Sequence, residues 1–362
     1  MSQQNEFIPN YASPPGASLL EMLESLGMSQ SDLSLRLGKT KKYVNELIKG
    51  KAPISPETAI YLERILMVPA EYWLNRETQY RESLARIEER TIFSKSDSWM
   101  KQFPLKEMLA NKWIERKPSA TDQLHALLEY FGIGSPDVWP EFWGRFKVNF
   151  RKSDKFECPE GALAAWLRRG EIDATPITCE PFSIPKFKNI LTEIRGITNS
   201  NPEYLIPHLQ SLCAQAGVAV VFTKEFPKLP VSGATRWLSP NKALIQLSLR
   251  YKTNDHLWFT FFHEAGHIIL HGKKEIFLDG NPNNEEVREK EANDFSRNFL
   301  ISPADYASFQ KSWNKSSKEI VAFSTKIGIA PGIVVGRLQH DKVAAYHHHN
   351  DLKQKLIWSV QG

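Results

Sequence analysis

Cysteine is scarce in this sequence, at three in 362 residues, and Cys158, Cys179 and Cys213 contain no CxxC spacing. That scarcity excludes a disulfide framework and a thiolate zinc site, and it points to a reducing, cytoplasmic compartment. Long apolar runs are also missing. Nothing approaches 18 consecutive apolar residues, and the first thirty residues carry Glu6 and prolines where a leader needs a basic start and an apolar stretch. A chain that neither spans nor crosses a membrane is expected. Charge of one sign is slight: 46 Lys and Arg against 41 Asp and Glu give +5, too little to imply nucleic acid by itself. Repeats and low-complexity tracts are absent apart from His347-His348-His349, which reads as a solvated or packed tail.

What remains is ample apolar sequence. At 41% hydrophobic and 24% charged residues, 362 residues are too many for one core and suit two or three. Between Ser18 and Leu66 the apolar residues recur at helical spacing, broken at Gly27, Gly38 and Gly50, with Ser29, Thr40 and Ser55-Pro56 as start signals. Four short helices in a small bundle are predicted. The second and third, Ser29 to Leu37 and Thr40 to Lys49, have helix-turn-helix spacing, and the third would enter a major groove. Charge agrees, because Arg36, Lys39, Lys41, Lys42, Lys49 and Lys51 against Glu46 give 6 − 1 = +5 in that segment. Such a segment engages phosphates, and Thr40, Lys41, Lys42 and Asn45 lie near the helix start where base edges are reachable.

Beyond Trp73 alternating charges describe a solvated helical connector. From Trp99 to Ile197 the pattern is mixed, mostly helical and without a motif, and Trp99, Trp113, Trp139, Trp143 and Trp166 read as core residues. After Asn201 a helix leads to three predicted strands, Val218 to Phe222, Gly233 to Leu238 and Ala243 to Arg250. In the last, Leu244, Gln246, Ser248 and Arg250 alternate with Ala243, Ile245, Leu247 and Leu249, which predicts a sheet with one wet face. If that strand is the sheet edge, it could hold an extended peptide by strand addition.

Directly downstream, His263-Glu264-Ala265-Gly266-His267 spells HExxH on an apolar helix that Gly272 ends. Residues four apart on a helix share a face, so two imidazoles can converge on one zinc ion while the adjacent glutamate reaches the water beside it. A third protein donor is needed to leave one open position. His271 continues the spacing, but at 1.5 Å per residue it sits about 9 Å too far along the axis. The next helix, from about Asn283 to Leu300, supplies two candidates. At 100° per residue Ala292, Phe295, Ser296, Phe299 and Leu300 form an inward arc with Glu289 in its middle, whereas Glu291 falls among Lys290, Asp294 and Asn298 on the wet side. A carboxylate on an apolar face needs a compensating cation, which favours Glu289, with Glu291 as the alternative. Asn293, one turn on, would hold a ligand, a histidine ring, from the outer shell. An oxyanion donor should also exist, with Tyr251, Arg236 and His340 as candidates.

The stretch Phe259 to Pro303, with HExxH, then Glu289-Lys290-Glu291-Ala292-Asn293-Asp294-Phe295 and Leu300-Ile301-Ser302-Pro303, resembles the ImmA/IrrE family of zinc metallopeptidases. The resemblance spans roughly residues 203 to 345 and includes Pro331 to His340. It implies a Zn2+ cofactor on His263, His267 and Glu289, with Glu264 as general base. Ser18 to Asn75 resembles the HigA-like branch of the XRE helix-turn-helix family, which implies a homodimer on a palindromic double-stranded DNA operator. The expected fold is multidomain, mainly α with a small β-sheet. Residues 1–75 form the DNA-binding domain, 76–98 a charged helical connector, 99–200 a middle region, and 201–362 an α+β zincin-like metallopeptidase domain. The pairing implies a transcriptional regulator that cleaves a repressor, antitoxin or partner protein. The alternative is an antitoxin-like repressor whose peptidase fold only binds a partner or senses a signal.

Overall fold

The computed structural model describes residues 11–93, 97–147, 159–200, 202–275 and 282–357. Cys158 and residues 94–96 of the expected connector lie outside them. Along the described residues run α1 (Pro15–Ser25), α2 (Gln30–Leu37), α3 (Lys41–Ile48), α4 (Pro56–Leu66), α5 (Ala70–Phe93), α6 (Asp97–Met100), α7 (Leu105–Ala110), α8 (Ala120–Phe131), α9 (Trp139–Lys147), α10 (Glu160–Ala174), α11 (Ile184–Gly196) and α12 (Pro202–Ala214). Strands β1 (Val218–Phe222), β2 (Gly233–Ser239) and β3 (Lys242–Leu247) follow, then α13 (Asn254–Glu275), α14 (Pro282–Leu300), α15 (Pro303–Ser312), α16 (Ser317–Ile327) and α17 (Pro331–His340). Among these residues no single helix is long and apolar enough to cross a membrane. Two compact units result, residues 1–98 with 119–124 and residues 99–118 with 125–362.

In the first unit the start signals act as read. Ser29 and Asp32 form a reciprocal capping box on α2, and the Thr40 and Ser55 side chains accept from the Tyr43 and Thr58 amides. Gly38 ends α2 at φ 64°, the left-handed conformation that glycine adopts without strain. Leu19, Leu23, Leu33, Val44, Leu47 and Leu62 make the core. The charged helix begins earlier than its charge pattern suggests, because α5 starts at Ala70 and its first turn buries Trp73 completely among these residues.

In the second unit β3 is the central strand of the order β1-β3-β2, parallel to β1 and antiparallel to β2. Val218, Val220, Ala243, Ile245 and Leu247 join the main core with α13 and α17 residues such as Phe261, Phe262, Val334 and Leu338. The opposite face, expected to be wet, is dry. Ala219, Val221 and Leu244 pack on Ala174 of α10, and Gln246, 1% exposed, donates from Nε2 to the Trp166 carbonyl at 2.7 Å. Trp166 in turn donates to the Thr223 carbonyl at 3.2 Å. The polar alternation in β3 therefore marks a glutamine bonded to a helix backbone, not one facing water. Nor is β3 an edge: the edge nearest the HExxH helix is β2, and the ladder of β3 ends at Leu247, with Ser248 bonded to Val231. Trp99, Trp139, Trp143 and Trp166 are buried as core residues and Trp113 only partly so, with Trp99 and Trp139 meeting Phe103 and Phe131 edge to face. Cys179 and Cys213 are free thiols.

Candidate metal centre and helix-turn-helix surface

Helix α13 runs regularly to Gly272, where φ 58° and ψ −175° break it. Against it lies α14, and Gly266, inside the HExxH motif, sets how closely. A Cβ on Gly266 would stand 3.1 Å from the Phe295 ring and 3.3 Å from the Ala292 Cα, tight enough to push the helices apart. The inward arc of α14 is as the periodicity predicts, with Ala292, Ser296 and Leu300 buried and Ser296 donating to the Phe259 carbonyl at 2.9 Å.

This contact brings His263, His267 and Glu289 together, with one donor atom from each lying within 4.8 Å of the others. The two Nε2 atoms are 3.0 Å apart, and the Glu289 oxygens are 3.5 Å from His263 and 3.4 Å from His267. Burial by itself raises the Glu289 carboxyl, but hydrogen bonds from the two imidazoles and their charge outweigh it and hold the group far below the usual carboxylate range. With Nε2 of His263 turned to the cluster, its Nδ1 carries the proton and donates to Asn293 Oδ1 at 3.1 Å. Glu264, 6% exposed, sits beside the cluster and lines a cavity of about 330 Å³ with His263, Asn293, Phe259, Leu300 and Ile333.

One placement differs from the reading of the sequence, and another adds a partner it did not foresee. Arg236 is not in this cavity: it pairs with Glu171 on α10, and burial lowers its guanidinium to about 9. The parity of β2 explains it, since Thr235 turns to α13, donating to the Glu264 carbonyl at 3.2 Å, and the neighbouring residue faces the other side. Tyr251 and His340 do line the cavity. Glu291, placed on the wet side, is 54% exposed yet meets His271 at 3.1 Å, while the other ring nitrogen of His271 lies 3.0 Å from Nδ1 of His267. Burial lowers the His271 pKa, partly opposed by the bond to Glu291.

Sequence reasoning missed Gly233, whose Cβ would fall 2.7 Å from Glu264 Oε1 and 2.6 Å from Thr260 Cγ2. A glycine opening an otherwise regular strand was the available signal. It also missed Arg297 and Arg337 on the cavity wall, the latter fixed by Asp341 at 2.6 Å and by the Tyr306 ring 4.5 Å from its Cζ.

On the first unit, Arg36, Lys39, Thr40, Lys41, Lys42, Asn45 and Lys49 are all exposed. Two carry loose ion pairs, Lys39 with Glu57 at 3.9 Å and Lys42 with Glu46 at 3.8 Å. The buried side of α3 is Val44 and Leu47, so Lys41, Lys42 and Asn45 occupy its outer surface.

Comparison with known proteins agrees with this division. Residues 19–73 match the helix-turn-helix family, of the XRE type, and residues 213–339 match the IrrE N-terminal-like domain of the peptidase M78 family. The chain thus joins a helix-turn-helix DNA-binding domain to a peptidase-family domain, the arrangement of a regulator with a peptidase-like module. Among solved structures it is similar to an addiction module antidote protein of a HigA family from Coxiella burnetii. Identity there is 28%, covering 22% of this chain and 89% of that chain, with a TM-score of 0.21. No curated protein matches the sequence.

Proposed function

We propose that the chain is a cytoplasmic DNA-binding transcriptional regulator whose C-terminal domain is a zinc-dependent endopeptidase acting on a repressor, antitoxin or other partner protein. The observation that carries this reading is the convergence of His263, His267 and Glu289 from two helices, beside a cavity that Glu264 lines. Two imidazoles and a carboxylate suit zinc with one position left open. The residues fit the ion: Glu289 is half-buried beside two imidazoles, each of which can offer a nitrogen lone pair, and a carboxylate in such a place is favoured by a cation. Bound there, zinc supplies Lewis acidity toward a scissile carbonyl and toward water.

The chain's own residues supply the rest. Glu264 takes the proton of the attacking water and returns it to the leaving amine. Asn293 fixes the ring of His263 through Nδ1. Phe259, Leu300 and Ile333 give the cavity an apolar wall for a side chain next to the cleaved bond. An extended peptide lies along β2, the edge strand that begins against Glu264, and Tyr251 and His340 are the remaining candidates for an oxyanion donor.

At the other end, a homodimer binds a palindromic operator with α3 in the major groove. Thr40, Lys41, Lys42 and Asn45 meet base edges, and Arg36, Lys39 and Lys49 meet phosphates. The deciding experiment is metal analysis with hydrolysis of a co-expressed partner protein: wild type binds one zinc and cleaves, Glu264→Gln binds zinc and does not cleave, and Glu289→Ala does neither. Cleavage by Glu264→Gln at the wild-type rate would remove the proposed base.

A further inference from the structure

His267 Nε2 faces the candidate metal cluster, 3.0 Å from His263 Nε2 and 3.4 Å from Glu289 Oε1. A ring that offers its Nε2 lone pair there carries its proton on Nδ1. That Nδ1 lies 3.0 Å from Nδ1 of His271, which must therefore accept. His271 then carries its own proton on Nε2 and donates it to Glu291 Oε2 at 3.1 Å. Each hydrogen bond then uses one proton, and the carboxylate stands at the outer end of the chain. The reverse assignment does not suit a ligand, because a protonated Nε2 on His267 has no lone pair to offer an ion.

We propose that His271 and Glu291 form a positioning couple that fixes the tautomer and orientation of His267 and makes it the stronger donor of the two histidines. The inference rests on the metal reading above. His271 is too far along α13 to reach the ion, and it is 5% exposed, so its place in the fold is beside His267 rather than in solvent. Glu291 comes from α14, two residues after Glu289, so one helix supplies the candidate third donor and the anchor of the second. His263 is held by the neutral amide of Asn293, and His267 by an anion acting through a second ring. Outer partners of this kind are worth roughly 10–100-fold in metal affinity.

The test is zinc affinity of the full chain, measured by competition with a chromogenic chelator, and the visible absorption of the Co2+-substituted protein. Glu291→Ala and His271→Ala are expected to weaken zinc about 10–100-fold and to shift the cobalt bands, with the far-ultraviolet circular dichroism unchanged. Glu291→Gln, which keeps an acceptor oxygen, recovers part of the loss. Glu286→Ala, which removes an exposed glutamate from the same helix, leaves both readouts at wild type. Affinity within twofold of wild type in Glu291→Ala overturns the couple. So does an equal loss in Glu286→Ala, which would reduce the effect to general charge, or no recovery in Glu291→Gln. Should His271→Ala misfold, the exposed Glu291 decides alone. A wild-type chain that binds no zinc overturns both readings, whereas one that binds zinc and cleaves nothing counts only against the hydrolase.

Discussion

Gly170 and Gln246 set the distance between α10 and the sheet, and substituting them tests whether that face is closed. A Cβ on Gly170 would lie 2.0 Å from Gln246 Oε1 and 2.2 Å from its Cδ, and Gln246 has no room to retreat because its Nε2 is bonded to the Trp166 carbonyl. Alanine in place of a helical glycine gains about 1 kcal/mol of propensity. Against this stand overpacking of about 1–3 kcal/mol and the loss of a buried hydrogen bond worth about 1 kcal/mol. Gly170→Ala should therefore destabilise the second unit by about 1–3 kcal/mol. In a Gln246→Ala background the obstruction is gone, and the same substitution should stabilise by up to about 1 kcal/mol. The reversal of sign is the signature. Urea titrations followed by tryptophan fluorescence read it, since Trp166 sits at the contact. If Gly170→Ala is neutral or stabilising in the wild-type background, α10 does not lie on β3 as described.

Other outcomes can be stated briefly. Lys39→Ala with Lys49→Ala should reduce the slope of log affinity against log salt by about 2 in operator titrations, at about 0.9 per phosphate contact; an unchanged slope removes these lysines from the phosphate contacts. Thr40→Ala should cost the bundle about 1 kcal/mol through the lost cap and Thr40→Ser should restore it, read from denaturant midpoints. Gly233→Ala should keep zinc but slow hydrolysis of a cognate substrate, because its Cβ displaces the Glu264 carboxylate; full turnover would show that the base does not depend on this contact.

Much of the candidate centre was legible because it is periodic. Four-residue spacing puts His263 and His267 on one face, and the 100° wheel of α14 puts Glu289 and Asn293 toward them, where both now lie. The short helices of the first unit were legible through their caps, which act within a few residues. What failed depended on pairing between distant segments. The wheel sets Glu291 outward correctly, but it says nothing of a neighbouring helix carrying His271 round to meet it. Alternation in β3 cannot distinguish a glutamine that faces water from one that meets a helix carbonyl 80 residues earlier in the chain. Which way Arg236 turns depends on the register of β2 against β3, and that is fixed only when the ladder forms.

One side chain from the region without motifs reaches furthest. Arg195 at the end of α11 donates to the carbonyls of Phe299 and Leu300, at the end of α14, and of Ile327, at the end of α16. These are terminal acceptors that a helix cannot satisfy for itself. The helix bearing Glu289 is thus tethered at its far end by a guanidinium that precedes the peptidase-like segment in the chain. Severing the polypeptide at residue 200 would strip that tether and uncover the α10 side of the sheet together, so a stable fragment holding the peptidase-like domain has to begin upstream of α10, whatever the boundaries of the sequence match suggest.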